Sequence, residues 1–202
     1  MSDSTISKGE ESRQAILRTA LGQARKIGLD GLTIGSLADM LERSKSGVFA
    51  HFGSREDLQL AVIEEGARQF IDHTFVPALK EKRGLPRLRA LFHNWVKWIA
   101  DVEPGGCLFV VAAAEFGNTE GPQKEKLADL QGQWRKQLAK AVELTVQACP
   151  KSKADPDQVA FELFSLVLGV HHDARLFGAR AAVRHGEVAF ERVVESCGFN
   201  PK

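Results

Sequence analysis

Apolar residues recur at helical spacing along almost the whole chain, and no sustained apolar–polar alternation bounded by turn residues interrupts them. A chain patterned in this way can bury its apolar stripes only by packing helix against helix, so the sequence predicts an all-α fold. With 202 residues, 44% of them hydrophobic and 26% charged, it can fill a substantial core and is not composed like a disordered chain.

Helix stops and starts divide the pattern. Ile16, Leu17, Ala20, Leu21, Ala24 and Ile27 form the stripe of a first helix, and Gly28 follows where a left-handed cap would sit. A short second helix opens at Thr33, whose hydroxyl can accept from an unpaired backbone N–H, and turns Ile34, Leu37, Ala38 and Leu41 inward. After the turn at Glu42-Arg43, a third short helix runs from about Ser44 to Phe52 with Val48 and Phe52 buried, and Gly53 ends it. Ser54-Arg-Glu-Asp57 fits a capping box for a fourth helix, expected to continue to about Lys82 with a bend near Pro77.

Breaker clusters at Gly84-Leu-Pro86, Pro104-Gly-Gly106, Gly117 to Pro122, Pro150 to Pro156 and Ala179 to Gly186 separate the remaining helices, giving about nine in all. The helix from Pro86 shows Leu88, Leu91, Phe92, Trp95, Val96 and Ile99 on one face; the one after Pro122 shows Leu127, Leu130, Trp134, Leu138, Ala141 and Val142. Val159 to Val170 is apolar nearly all round, which calls for neighbours on every side, a partner subunit among them. Residues 1 to 9 are small and polar and read as a mobile arm.

Composition narrows the function. The formal net charge is only +1, and within residues 1 to 57 eight basic side chains balance eight acidic ones, so bulk charge does not argue for nucleic acid. Cys107, Cys149 and Cys197 are odd in number and widely separated, which suggests neither a disulfide framework nor a structural zinc site. No long apolar run or secretory leader is evident, and a cytoplasmic location is expected. Nucleophile elbows, phosphate-binding glycine loops and His-Glu-x-x-His are all absent, so neither an enzyme nor a cofactor is expected.

The informative stretch is Gly31 to Leu58. Two very short helices joined by a tight turn, the second small and polar on its outer face, describe a helix-turn-helix whose second helix enters the major groove. Lys45, Ser46 and Gly47 open that second helix, where small residues permit close approach and the helix N-terminus favours anions.

Thr33, Ser44, Lys45, Val48, Phe49, His51, Phe52 and Arg55 stand in a pattern that resembles the TetR family of transcriptional regulators. The likeness covers about residues 12 to 66 and extends, more loosely, through Gly105-Gly-Cys-Leu-Phe109, Ala113-Ala-Glu-Phe116 and Gly121-Pro122. It implies a three-helix, homeodomain-like DNA-binding domain over 1–54, followed by a helical-bundle domain for effector binding and dimerisation over 55–202. On this likeness Lys45 and Ser46 lie nearest the bases, with Ser44, Gly47 and Phe49 alongside, while Thr33, His51 and Arg55 meet phosphates. Phe49 replaces the commoner tyrosine and cannot offer a phenolic contact. The resemblance further implies a homodimer formed by the last two long helices, about Asp155 to Phe177 and Gly186 to Cys197, a palindromic operator, and release by a small-molecule inducer.

Aromatic residues of the second domain supply an effector pocket on this reading: Phe92, Trp95, Phe109 and Trp134, with Cys107, Glu115 and His172 as polar candidates. Adjacent His171 and His172 point about 100° apart on a helix, so a metal site there is not expected. The competing reading is a helical ligand-binding or interaction protein on the same scaffold without operator binding.

Overall fold

The computed structural model describes residues 7–101 and 106–199. Among these residues all regular structure is helical, in nine rods. They are α1 (Lys8–Ile27), α2 (Ile34–Met40), α3 (Lys45–Phe52), α4 (Arg55–Phe70, extended by Ile71–Phe75 and Val76–Ala78), α5 (Leu85–Asp101), α6 (Leu108–Phe116), α7 (Pro122–Gln147), α8 (Pro156–Leu176) and α9 (Ala179–Ser196). None is long and apolar enough to cross a membrane.

Local chemistry starts these helices where the side chains allow. Ser7, Thr33, Ser44 and Asp155 each cap a helix by accepting backbone N–H bonds; Thr33 forms a full reciprocal box with Ser36. At the head of α4 only half of the expected box forms: Ser54 accepts from the Asp57 N–H, but the Asp57 carboxylate takes the Ser54 hydroxyl at 2.6 Å. Ser7 as cap also places Lys8 and Gly9 inside α1, which shortens the expected arm; residues 1–6 and the break at Pro104-Gly105 lie outside the described residues.

Two helices depart from the sequence reading. The disturbance in α4 precedes Pro77: residues Ile71–Phe75 form a π-helical turn, and the helix stops at Ala78 rather than Lys82. Proline lacks the N–H that would bond to the carbonyl four residues back, and its ring crowds that carbonyl, so the irregularity falls on the preceding turn. α9 begins at Ala179, about two turns before Gly186. Gly186 is a packing glycine there, because a Cβ would lie 2.4 Å from Val170 Cγ2 on α8.

Contacts gather the chain into two compact units that do not coincide with a boundary at 54/55: residues 7–67 with 106–127, and 68–101 with 128–199. In the first, Ile16, Leu21, Leu29, Leu32, Leu37, Val48, Leu58 and Val62 form a core around the short helices. α6 belongs to it as well, since Gly66 lets Leu108 come within 2.9 Å of where a Cβ would be. In the second, α5, α8 and α9 pack together, with Phe92 stacked on Phe190 at 4.4 Å and Leu88, Leu91 and Leu163 fully buried.

Candidate nucleic-acid interface

Val48 and Phe52 face the core of the first unit and so orient α3. At about 100° per residue, Ser46 and Ala50 then lie on the opposite side, with Gly47 beside them. Ser44, Lys45, Ser46, Gly47, Phe49 and Ala50 are all exposed, and Phe49 is 52% exposed despite its apolar ring. This gives a smooth, small-residue face flanked by Lys45 and Phe49 on one side and His51 on the other. Ala50 was not singled out from the sequence, although its helical spacing from Ser46 would have placed it.

The start of α3 is tightly built. Ser44 Oγ accepts from Gly47 N at 3.1 Å and from Ser46 Oγ at 3.2 Å. A Cβ on Gly47 would stand 3.0 Å from that same oxygen, so the glycine lets the cap form. Lys45 reaches back over α2, its Nζ within 3.7 Å of the position a Gly35 Cβ would take and Thr33 Oγ1 within 3.8 Å of the same point. An ammonium and a hydroxyl thus border one patch of half-buried backbone at Gly35, a combination suited to a phosphate oxygen.

The remaining candidates are partly engaged within the unit. His51 Nε2 lies 3.1 Å from Ser12 Oγ on α1, and Arg43 also donates to that hydroxyl. Arg55 donates from Nε to the Leu32 carbonyl at 2.9 Å and from Nη2 to the Asp30 carboxylate at 2.8 Å and the Asp30 carbonyl. Its guanidinium therefore clamps the loop between α1 and α2, a role the sequence reading missed. The same loop is held from two other directions: Gln59 donates to the Leu29 carbonyl at 2.8 Å, and the Leu29 N–H donates to Glu115 at 2.9 Å.

The effector candidates divide between the units. Cys107, Phe109 and Glu115 belong to the first, where Cys107 is buried at the start of α6 and Glu115 serves as the loop acceptor. Burial lowers the pKa of Arg25 there, while Cys107 and Glu65 act in the opposite sense. Phe92, Trp95, Trp134 and His172 belong to the second unit. Trp95 and Trp134 meet edge to face at 5.2 Å, and Phe70 meets Trp134 at 4.9 Å. His172 is exposed, pairs with Asp173 and meets Phe177 edge to face at 6.3 Å, whereas Trp95 and Trp134 are buried. Beside it His171 is buried, and burial, then Arg175 and His172, lower its pKa. Among the described residues no group of three His, Cys, Asp or Glu side chains could hold a metal ion.

Known proteins resemble this chain in sequence over its second half and in fold over nearly all of it. Residues 84–190, more than half of the chain, match the family described as tetracyclin repressor-like, C-terminal domain. A TetR-family transcriptional regulator from Cytophaga hutchinsonii superposes with a TM-score of 0.82 at 17% identity, covering 98% of this chain and 100% of its own. A TetR regulator from Chloroflexus aurantiacus J-10-FL gives 0.84 at 21% identity, over 93% and 96%. AibR, solved in complex with isovaleryl coenzyme A and operator DNA, gives 0.70 at 19% identity, over 87% and 96%. Comparison with the curated proteins gives no match. With a family match of that extent and a nine-helix architecture shared with such regulators, the chain belongs to the TetR family of transcriptional regulators, DNA-binding proteins rather than enzymes.

Proposed function

We propose that the protein is a ligand-responsive transcriptional repressor that binds a palindromic operator as a homodimer and is released by a small-molecule inducer. The observation that carries this reading is the outer face of α3, where Ser46, Gly47 and Ala50 present little bulk and Lys45 and Thr33 border it with donors. A face of that shape admits close approach to base edges in the major groove, and phosphate contacts at its border fix the register. AibR, which shares the fold, was solved with both an acyl coenzyme A and operator DNA, and this supports a two-ligand reading here. Two such heads must lie about 34–36 Å apart to enter successive major grooves, hence the palindrome. An inducer then acts through its different affinities for two dimer conformations, a coupling typically of about 1–3 kcal/mol. The protein acts in the cytoplasm, on the DNA of the nucleoid.

A second reading, a helical ligand-binding protein without operator binding, draws support from the charge balance of residues 1 to 57 and from the engagement of Arg43 and Arg55 within the unit. A mobility shift against the DNA flanking the protein's own gene, at two salt concentrations with excess competitor, separates the two. The repressor gives a discrete complex that weakens with salt, and Lys45→Ala weakens it further and lowers its salt dependence without altering self-association. Absence of any specific complex favours the second reading.

A further inference from the structure

Within the second unit, Trp134 is the hub of a ring cluster. Phe70, Trp95 and Phe75 meet it edge to face at 4.9, 5.2 and 6.3 Å. Its indole Nε1 is buried and finds no hydrogen-bond partner among the described residues, and neither does the hydroxyl of Thr74, a fully buried residue. Thr74 lies in the π-helical turn of α4, next to Phe75, and its carbonyl is held by Asn94 Nδ2 at 3.1 Å. A buried indole N–H within the ring cluster and a buried hydroxyl on the π turn, each without a partner among the described residues, are unfavourable in the protein alone and are the kind of feature that marks a binding site.

The chemistry of the complementary molecule follows from what the cluster offers. Ring faces and edges favour a flat apolar body. The indole N–H can only donate and the hydroxyl can donate as well as accept, so a ligand that brings an acceptor suits both. Two basic side chains that meet these rings are at the surface: exposed Arg135 lies over Phe164 at 4.3 Å, and exposed His73 rests on Trp98 at 5.2 Å. A carboxylate against Trp134 would lose water without gaining a buried cation, whereas a carbonyl oxygen would not carry that cost. We propose that this unit binds an uncharged aromatic carbonyl compound against Trp134, its carbonyl oxygen accepting from the Trp134 indole N–H with the Thr74 hydroxyl as the second donor. This deepens the effector reading above, on which it rests.

Equilibrium dialysis and thermal melts on the full chain test it, with acetophenone and 2-acetylnaphthalene as probes and ethylbenzene and 2-ethylnaphthalene as shape-matched hydrocarbons. At least one ketone is expected to bind about tenfold tighter than its hydrocarbon, the loss that one hydrogen bond to an otherwise unpaired donor represents. Thr74→Val, nearly isosteric, should abolish that preference while raising the ligand-free Tm by about 2–4 °C, because it removes an unpaired buried hydroxyl; Trp134→Phe should abolish it as well, but with a lower Tm, because the smaller ring leaves a cavity in the cluster. A merely structural hydroxyl would show the opposite sign on Tm, and a merely structural hydroxyl or indole no change in preference. The proposal is overturned if no ketone binds, if ketone and hydrocarbon bind equally, or if Thr74→Val keeps the preference. A mobility shift on the same preparation isolates the failure: a specific DNA complex without ketone preference sinks the ligand class alone, and ketone preference without a DNA complex sinks the repressor reading alone.

Discussion

The Leu29 carbonyl accepts from the Gln59 side chain and from the Leu32 N–H, whereas the Leu29 N–H has its bond from a side chain, Glu115, 86 residues further on. Leu29 is fully buried, so neither group has water as an alternative. Glu115→Ala is therefore expected to cost about 1–3 kcal/mol by stranding the N–H, and Glu115→Gln, which keeps an acceptor, to recover most of it; denaturant melts of the two variants check this. The turn between α2 and α3 carries a different local cost. Glu42 is the one non-glycine residue with positive φ among the described residues, at 52°. Left-handed backbone costs a side-chain-bearing residue about 1–2 kcal/mol, and glycine gives back about half of that in chain entropy. Glu42→Gly should raise Tm by a few degrees, measured by calorimetry, and an unchanged or lower Tm would contradict the strain argument. The caps at Thr33, Ser44 and Ser54 were legible in the sequence because each acts on its own first turn. The roles of Arg55 and Glu115 were not, because their partners come from elsewhere in the chain and only the fold brings them together.

At the scale of elements, apolar period and breaker clusters together located about nine helices, since each must bury a stripe and end where a residue cannot continue it. Boundaries failed where packing overrode local preference. Gly186 looked like the beginning of the last helix, but α9 already starts at Ala179 and runs through it, because the missing Cβ lets α8 and α9 approach closely. Opposite it on α8, Val170 precedes His171, which is buried with Nε2 unpartnered among the described residues. Protonating that ring would bury an unpaired charge near Arg175 and His172, so its pKa is held below the ordinary 6.5. The sign follows from linkage. The unfolded chain binds the proton more readily, so the stability contributed by neutral His171 is fully present above about pH 6.5 and is lost as pH falls towards its lowered pKa. Melts between pH 7.5 and pH 5 should show this decline as about one extra proton taken up on unfolding, and His171→Gln should flatten it. An equally steep decline in that variant would assign the effect to other groups.

At the scale of the whole molecule, what α8 leaves uncovered bears on assembly. Phe161, Ser165, Leu168, His172 and Leu176 recur at helical spacing and are all exposed, Phe161 at 52% and Leu176 at 64%, while Val188 on α9 is exposed at 48%. A helix that buries one face in its own chain and keeps Phe and Leu on the other is expected to bury the second face against a copy of itself, residue i meeting j and j meeting i about a two-fold axis. The sequence displayed this as a segment apolar all round, but which side its own chain would cover became visible only from the packing of α8 on α5 and α9. Leu168→Glu places a charge in that face and Ser165→Arg would place another. Leu168→Glu should convert the proposed homodimer to a monomer in sedimentation equilibrium, with helical content unchanged because Leu168 is not part of the core of its own chain. The same variant should lose tight operator binding, since one head retains only half of the contacts, whereas Lys45→Ala loses binding with the dimer intact. Loss of the two properties by separate substitutions, one on α3 and one on α8, is what a two-headed reader requires. A Leu168→Glu protein that stayed dimeric would move the interface to another face of the second unit.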